Sequence, residues 1–379
     1  MKKLLLIITI LSIPFYYSCR KSPSIIEENV PAKHDSSFPI ENENEQMVTL
    51  AAMSYVGIDD NSTILDSLRI VLSNRDYITG GDWELAFYSY HKVKSLLTFV
   101  VKSKKYSNTY AVVQRGTNFG SVFNILYDID VFRTEDWSYT LFNVGDPKIA
   151  KGVSNVLRES LNTKGDAYLP FTGRMNLDDY LKQLITYENI EEEFFNIYFA
   201  GHSLGGASTI AVSSYFIYNI LSTIDDPRLN VGIYTYAAPT LGNKDFVTYY
   251  NTLVDMYPPS TGNVSINSKR FYNKSDFVPV CLYEDVTKAA NLGYPLSFLF
   301  RTFIFSTVSV FDKGLKDRGI HYFHVGTEED GTSNSVSFDK LPKPDFPIPC
   351  NSLGDYAIYT GFYHNHNHYS VALGGNAIP

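Results

Sequence analysis

Two kinds of apolar pattern alternate along most of the chain. Residues 46–56 (QMVTLAAMSYV), 65–72 and 177–187 recur at helical period, and 204–220 reads as a long apolar helix. Residues 96–101 (LLTFVV), 109–113 (TYAVV), 196–200 (NIYFA), 231–237 and 268–272 are short apolar runs bounded by polar residues, the pattern of buried strands. The first two flank a polar Lys-Lys-Tyr-Ser-Asn turn. Strands alternating with helices imply an α/β fold, with a mostly parallel sheet and helices on both faces. No internal repeat is present.

The chain opens differently. Lys2 and Lys3 precede an apolar stretch, 4–17, too short to span a bilayer comfortably, as in a signal peptide. Ser18-Cys19 at its end resembles a bacterial lipoprotein processing site, although Tyr16 stands where such sites usually carry an aliphatic residue. The expected organisation is a signal peptide over 1–18, a flexible Pro-, Ser- and Glu-containing tether over 19–45, and one folded domain over 46–379. Acylated Cys19 would anchor the chain to the bacterial envelope, at the outer membrane. An ordinary cleaved signal would make it secreted. In an oxidising envelope Cys281 and Cys350 can pair if the backbone brings them close. Residues 292–311 (LGYPLSFLFRTFIFSTVSVF) form a second apolar stretch. Arg301 at its middle argues against a membrane span, and a packing helix, a mobile cap or a membrane-facing patch remain as readings.

Composition narrows the function classes. Hydrophobic residues make up 44% and charged residues 19%, which suits a globular core. The 29 Tyr and 25 Phe against 2 Trp suit broad amphipathic surfaces. A formal net charge of −8 leaves no basic footprint for nucleic acid.

Chemistry concentrates at Gly201-His202-Ser203-Leu204-Gly205, which fits the G-x-S-x-G nucleophile elbow. A strand must turn sharply into a helix there, and the glycines remove the β-carbons that would clash. By composition alone such a pentapeptide arises in roughly one chain of this length in ten. Here an apolar strand precedes it and a helix opening on small residues (Gly205, Gly206, Ala207, Ser208) follows, so the context carries the assignment. Ser203 then lies at a helix N-terminus that favours negative charge. A Ser hydroxyl needs a base and an orienting acid, which follow it in this fold in the order Ser, Asp or Glu, His.

At this point the residues resemble the class 3 lipase family, the fungal-lipase-like α/β-hydrolases, from about residue 50 to 375. Residues 201–207 (GHSLGGA) look like its nucleophile segment. Arg115-Gly116-Thr117 is similar to its oxyanion loop and 124–131 (NILYDIDV) to the stretch after it. Residues 235–243 (TYAAPTLGN) resemble the strand and turn after the nucleophile. Residues 270–279 (RFYNKSDFVP) match the segment that carries the family's acid, which places it on Asp276, and 322–326 (YFHVG) look like a structural segment. The chain departs from the family in Gln114, where Phe is usual, in the insert around 292–311, and in its crowded histidines.

Asp276 follows a strand and so can sit on a loop at the sheet's carboxyl edge. Asp255, Glu284 and Asp285 are rivals whose surroundings do not match. For the base, the resemblance implies two registers. Bacterial and plant members of the family often show His, four residues, Tyr, three residues, Leu, which here gives His364 with Tyr369 and Leu373, and in that register Asn365 caps a short helix. Fungal members instead show His, two residues, Tyr, which here gives His366. Three clustered histidines (His364, His366, His368) also admit a metal-binding reading, although no metal or other cofactor is expected. His202 reads as a pocket or packing residue and His324 as buried and structural.

The resemblance implies a serine-dependent carboxylic ester hydrolase, a lipase acting on acylglycerol or related lipid esters through an acyl-enzyme. The oxyanion donors would be the backbone N–H groups of Leu204 and Thr117. A phospholipase, a carbohydrate-ester esterase or a thioesterase would share this machinery. A non-catalytic envelope binding lipoprotein is the reading from another class.

Overall fold

A computed structural model describes residues 40–57, 63–92, 95–116, 130–191, 193–259, 262–280, 282, 292, 294, 296–326, 334–339, 341, 350 and 352–379. Cys19, Thr117, Cys281, Glu284 and Asp285 lie outside them, as does most of 124–131.

The chain enters through helices α1 (Glu43–Met53) and α2 (Ile64–Leu72). The first begins inside the stretch read as tether. Strands β1 (Trp83–His91), β2 (Leu96–Ser103) and β3 (Thr109–Gln114) follow, then the short pair β4 (Thr134–Asp136) and β5 (Lys148–Ala150). Next come α3 (Lys151–Asn162), β6 (Gly165–Ala167), β7 (Gly173–Met175), α4 (Leu177–Tyr187), β8 (Phe195–His202), α5 (Leu204–Leu221), β9 (Leu229–Tyr236), α6 (Lys244–Met256) and β10 (Val264–Asn273). The last elements are α7 (Phe298–Lys316), β11 (Ser335–Phe338), α8 (Leu353–Tyr363) and α9 (His366–Ala372).

Nine strands form one sheet in the order β11-β10-β9-β8-β3-β2-β1-β6-β7. Pairing is parallel from β11 to β3 and antiparallel from β3 to β7. This is the α/β-hydrolase arrangement, a mixed sheet whose parallel part carries the candidate nucleophile Ser203 after β8. The central strand β8 (FNIYFAGH) is buried at every position, as a parallel strand covered on both faces must be. One core layer joins α3 through α8 to one face. The other joins α1, α2 and α9 to the opposite face through Met47, Leu50, Leu68 and Tyr369.

Two apolar helices differ in placement. Among the described residues α5 alone is long and apolar enough to cross a membrane, yet 78% of it is buried, and it packs beneath β8 and β9 as core. Helix α7, in the 292–311 insert, buries Phe300, Ile304, Val308 and Leu315, a stripe at helical spacing. Its outer side leaves Phe298 82% and Phe305 46% exposed, with Arg301 between them. Tyr294, just before α7, stacks on Tyr363 and packs on Tyr359 of α8, while its hydroxyl donates to Ser275 O at 2.7 Å. The insert therefore leans on both segments that carry the candidate acid and base.

Candidate active site

The elbow is built by close backbone contact. Ser203 adopts φ 62°, ψ −132°, the left-handed side where a non-glycine residue is strained. A Cβ on Gly201 would stand 2.3 Å from Gly205 O, and one on Gly205 would stand 2.3 Å from Gln114 O. Both positions admit only glycine. Ser203 N–H donates to Tyr236 O at 2.8 Å, and Ser203 O accepts from Gly206 N–H at 2.8 Å, so the turn is fixed from both sides. Ser203 Oγ has no hydrogen-bond partner among the described residues. Leu204 opens α5 directly after Ser203, so its backbone N–H has no preceding helical turn to bond.

Asp276 lies three residues past β10, in a turn closed by Ser275 N–H on Asn273 Oδ1. It is fully buried. His364 Nδ1 stands 2.7 Å from Asp276 Oδ2, the Tyr369 hydroxyl donates to the same oxygen at 2.7 Å, and Val278 N–H donates to Oδ1 at 3.0 Å. A carboxylate facing Nδ1 fixes the proton there and leaves Nε2 as the acceptor. Tyr369 is itself held, accepting from Asn273 N–H at 2.8 Å.

His364 is the C-cap of α8. A capping box of Ser352 and Asp355 starts that helix. Asn365 then caps α9, accepting from Asn367 N–H and His368 N–H, and the helix buries Tyr369 against the second core layer with Leu373 partly buried beside it. The spacing that selected His364 thus corresponds to a real helix that turns Tyr369 under the acid.

The neighbouring histidines make different contacts, although the His202 ring lies 4.9 Å from that of His364. His366 stacks on the Tyr55 ring with centroids 4.1 Å apart and planes within 5°. Burial, then the nearby His368 and His364, push its pKa down to about 3. His368 Nδ1 is 2.8 Å from Phe362 O. His202 is buried, with Nδ1 3.0 Å from the Tyr55 hydroxyl, and burial holds its pKa well below the usual imidazole range. His324 packs by Arg270, and burial and that charge lower its pKa as well. Among the described residues no group of three or more His, Cys, Asp or Glu side chains is placed to hold a metal. Asp255 lies exposed on α6, away from these groups.

Gln114, in place of the expected Phe, is buried under the elbow. Its Oε1 lies within hydrogen-bond reach of Ser160 (3.0 Å), Thr98 (3.3 Å) and Ser208 (3.3 Å), tying β2, α3 and α5 together by a polar contact instead of a ring. Arg115 is also buried, donating through Nε and a terminal nitrogen to Ser95 O. Gly116 presses against Ser203, and a Cβ there would stand 2.9 Å from Ser203 Cβ. Tyr55, Tyr294 and the Gln114 cluster were not identified from sequence. Isolated polar residues on otherwise apolar elements give no local signal of the partners they meet.

The family described as Lipase (class 3) matches residues 111–285. The crystal structure of M37 lipase aligns with a TM-score of 0.66 at 19% identity, covering 88% of this chain and 95% of that one. A triacylglycerol lipase from Penicillium expansum aligns with a TM-score of 0.41 at 19% identity, covering 64% and 72%. Rhizomucor miehei lipase, as its propeptide complex, aligns with a TM-score of 0.41 at 19% identity, covering 68% and 72%. A search of curated proteins finds no match. The M37 likeness shows the shared fold, and the family match supports the class 3 lipase family and, with it, a lipase-type ester hydrolase.

Proposed function

We propose that this lipase-type hydrolase cleaves acylglycerol or related lipid esters with Ser203 as nucleophile, His364 as general base and Asp276 as the acid that orients the imidazole. The observation that carries the reading is the 2.7 Å contact between His364 Nδ1 and Asp276 Oδ2, both buried, at the sheet edge where Ser203 is held on a strained elbow. His364 Nε2 takes the Ser203 proton as Oγ attacks the ester carbonyl. The Leu204 N–H, joined by that of Thr117, meets the oxyanion. His364 then protonates the leaving alcohol, and water hydrolyses the acyl-enzyme by the same steps in reverse.

The lipid character of the substrate draws on the family match and on the exposed phenylalanines of α7, whose insert contacts the Asp276 and His364 segments. The N-terminal sequence adds attachment to the bacterial envelope through acylated Cys19 to this proposal.

The test is hydrolysis of p-nitrophenyl esters of increasing chain length, below and above their solubility limits, by the wild type and Ser203→Ala. The expected result is loss of turnover by a factor on the order of 10⁵–10⁶ in Ser203→Ala with an unchanged fold, and a wild-type rate that jumps once the ester forms an interface. Turnover that survives Ser203→Ala rejects the assignment.

A further inference from the structure

The Tyr55 hydroxyl makes contacts that packing alone does not require. Tyr55 lies two residues beyond α1, in a turn where its N–H donates to Ala52 O at 3.1 Å, and it is 4% exposed. A residue needed only to fill this space could be Phe, since burying a hydroxyl costs free energy that partners must offset. The partners here all belong to the candidate site. The hydroxyl donates to His202 O at 3.3 Å and lies 3.0 Å from His202 Nδ1, while the backbone N–H of Gly116 hydrogen-bonds to it. A Cβ on Gly116 would stand 2.6 Å from both Tyr55 Oη and His202 O, so the three groups nest without spare room.

These contacts occur where the sheet stops helping. Strands β3 and β8 pair in parallel up to Gln114 opposite Gly201. Past that rung lie Gly116, next to the proposed oxyanion donor Thr117, and His202, next to Ser203. The Tyr55 hydroxyl takes the place of the missing rung between them. Its ring meanwhile stacks on His366, two residues beyond the proposed base. One side chain from the turn after α1 thus touches Gly116, the elbow at His202 and the helix after the proposed base.

We infer that Tyr55 is a positioning residue for the reaction proposed above, setting the separation of the oxyanion loop from Ser203 through the Gly116 N–H and the His202 carbonyl. This rests on the hydrolase reading. Oxyanion donors work only when preorganised where charge develops, so a shift of a few tenths of an ångström at Gly116 acts on the transition state more than on bound ester.

The experiment compares Tyr55→Phe with Tyr180→Phe. Tyr180 is equally buried and its hydroxyl donates to Leu169 O at 2.6 Å, remote from the site. Both variants lose one buried hydroxyl, so thermal melting should fall similarly in each. With kcat normalised by active-site titration with a phosphonate ester, Tyr55→Phe should lose roughly tenfold in kcat with KM within about twofold. Its affinity for an arylboronic acid, which forms a tetrahedral adduct on Ser203, should fall by a similar factor. Tyr180→Phe should change neither. Should Tyr55→Phe not fold, 3-fluorotyrosine at position 55 keeps the ring and hydroxyl in place and makes the hydroxyl a stronger donor and weaker acceptor. A severalfold change in kcat supports the inference. Wild-type kcat and boronate affinity in the folded position-55 variant overturn it while leaving the hydrolase reading intact. Absence of any Ser203-dependent activity in the wild type overturns both.

Discussion

His364 and His366 stand two residues apart and differ in what their rings meet. His364 faces the Asp276 carboxylate, whereas His366 lies flat on Tyr55 and its buried environment disfavours the charged form that a general base must reach. His364→Ala should therefore lower kcat by about 10³-fold or more, and His366→Ala by no more than about tenfold, measured per titrated active site. Comparable losses in the two variants would reject this division of roles. The family register pointed to His364 through Tyr369 and Leu373, which pack on the second core layer. It could not show that the Tyr369 hydroxyl shares an Asp276 oxygen with His364, because that contact joins residues 93 positions apart.

At the scale of elements, apolar content alone did not separate α5 from α7. The small residues opening α5 let it press onto Gln114 and Ala238 and disappear into the core. Helix α7 carries bulky Phe on both sides, so packing one side necessarily exposes the other. Elements with mixed composition escaped notice in the sequence. Helix α3 buries Val153, Val156, Leu157 and Leu161 among polar neighbours, and β1 alternates partly buried positions beside β6. In each, only one side meets the core, so half the residues look like loop.

The exposed side of α7 bears on membrane association. Cys19→Ser should shift the protein from the membrane fraction to the soluble fraction. Adding Phe298→Ser and Phe305→Ser should remove residual binding to phosphatidylglycerol vesicles and flatten the rate increase at an ester interface. Each phenyl ring contributes about 1.5–3 kcal/mol when fully buried, so two rings suffice for a measurable change in partition. Vesicle binding unaltered by both Phe substitutions would exclude α7 as a lipid-contacting face.

For the whole molecule, β3, β8, β9 and β10 were legible in the sequence because they are buried on both faces and read as apolar runs, whereas β11, the parallel edge strand, is partly exposed and was not. Of the antiparallel strands, β2 was legible for the same reason, while β1 is buried only in part and β6 and β7 are three residues each. The same two-sided burial that makes the core legible also sets how stability depends on pH. His202, His324 and His366 are held neutral by burial, so their folded pKa values lie below the unfolded value of about 6.5. Between the two values the unfolded chain binds more protons, so their stabilisation is complete above about pH 6.5 and is lost as pH falls toward 3. Tyrosines that are buried or half-buried act on the other limb. Burial raises the pKa of Tyr88 to about 12 and of Tyr249 to about 12, so their stabilisation is complete below about pH 10 and is lost as pH rises toward 12. Urea midpoints should therefore stay level between about pH 7 and 9.5 and fall on either side. His366→Phe keeps the stack on Tyr55 and removes one titrating group, so its stability should fall less steeply below pH 6, by up to about 1.4 kcal/mol per pH unit. An acid limb identical to that of the wild type would mean that His366 is protonated in the folded state at the same pH as in the unfolded chain, and that the Tyr55 stack does not exclude water from its ring.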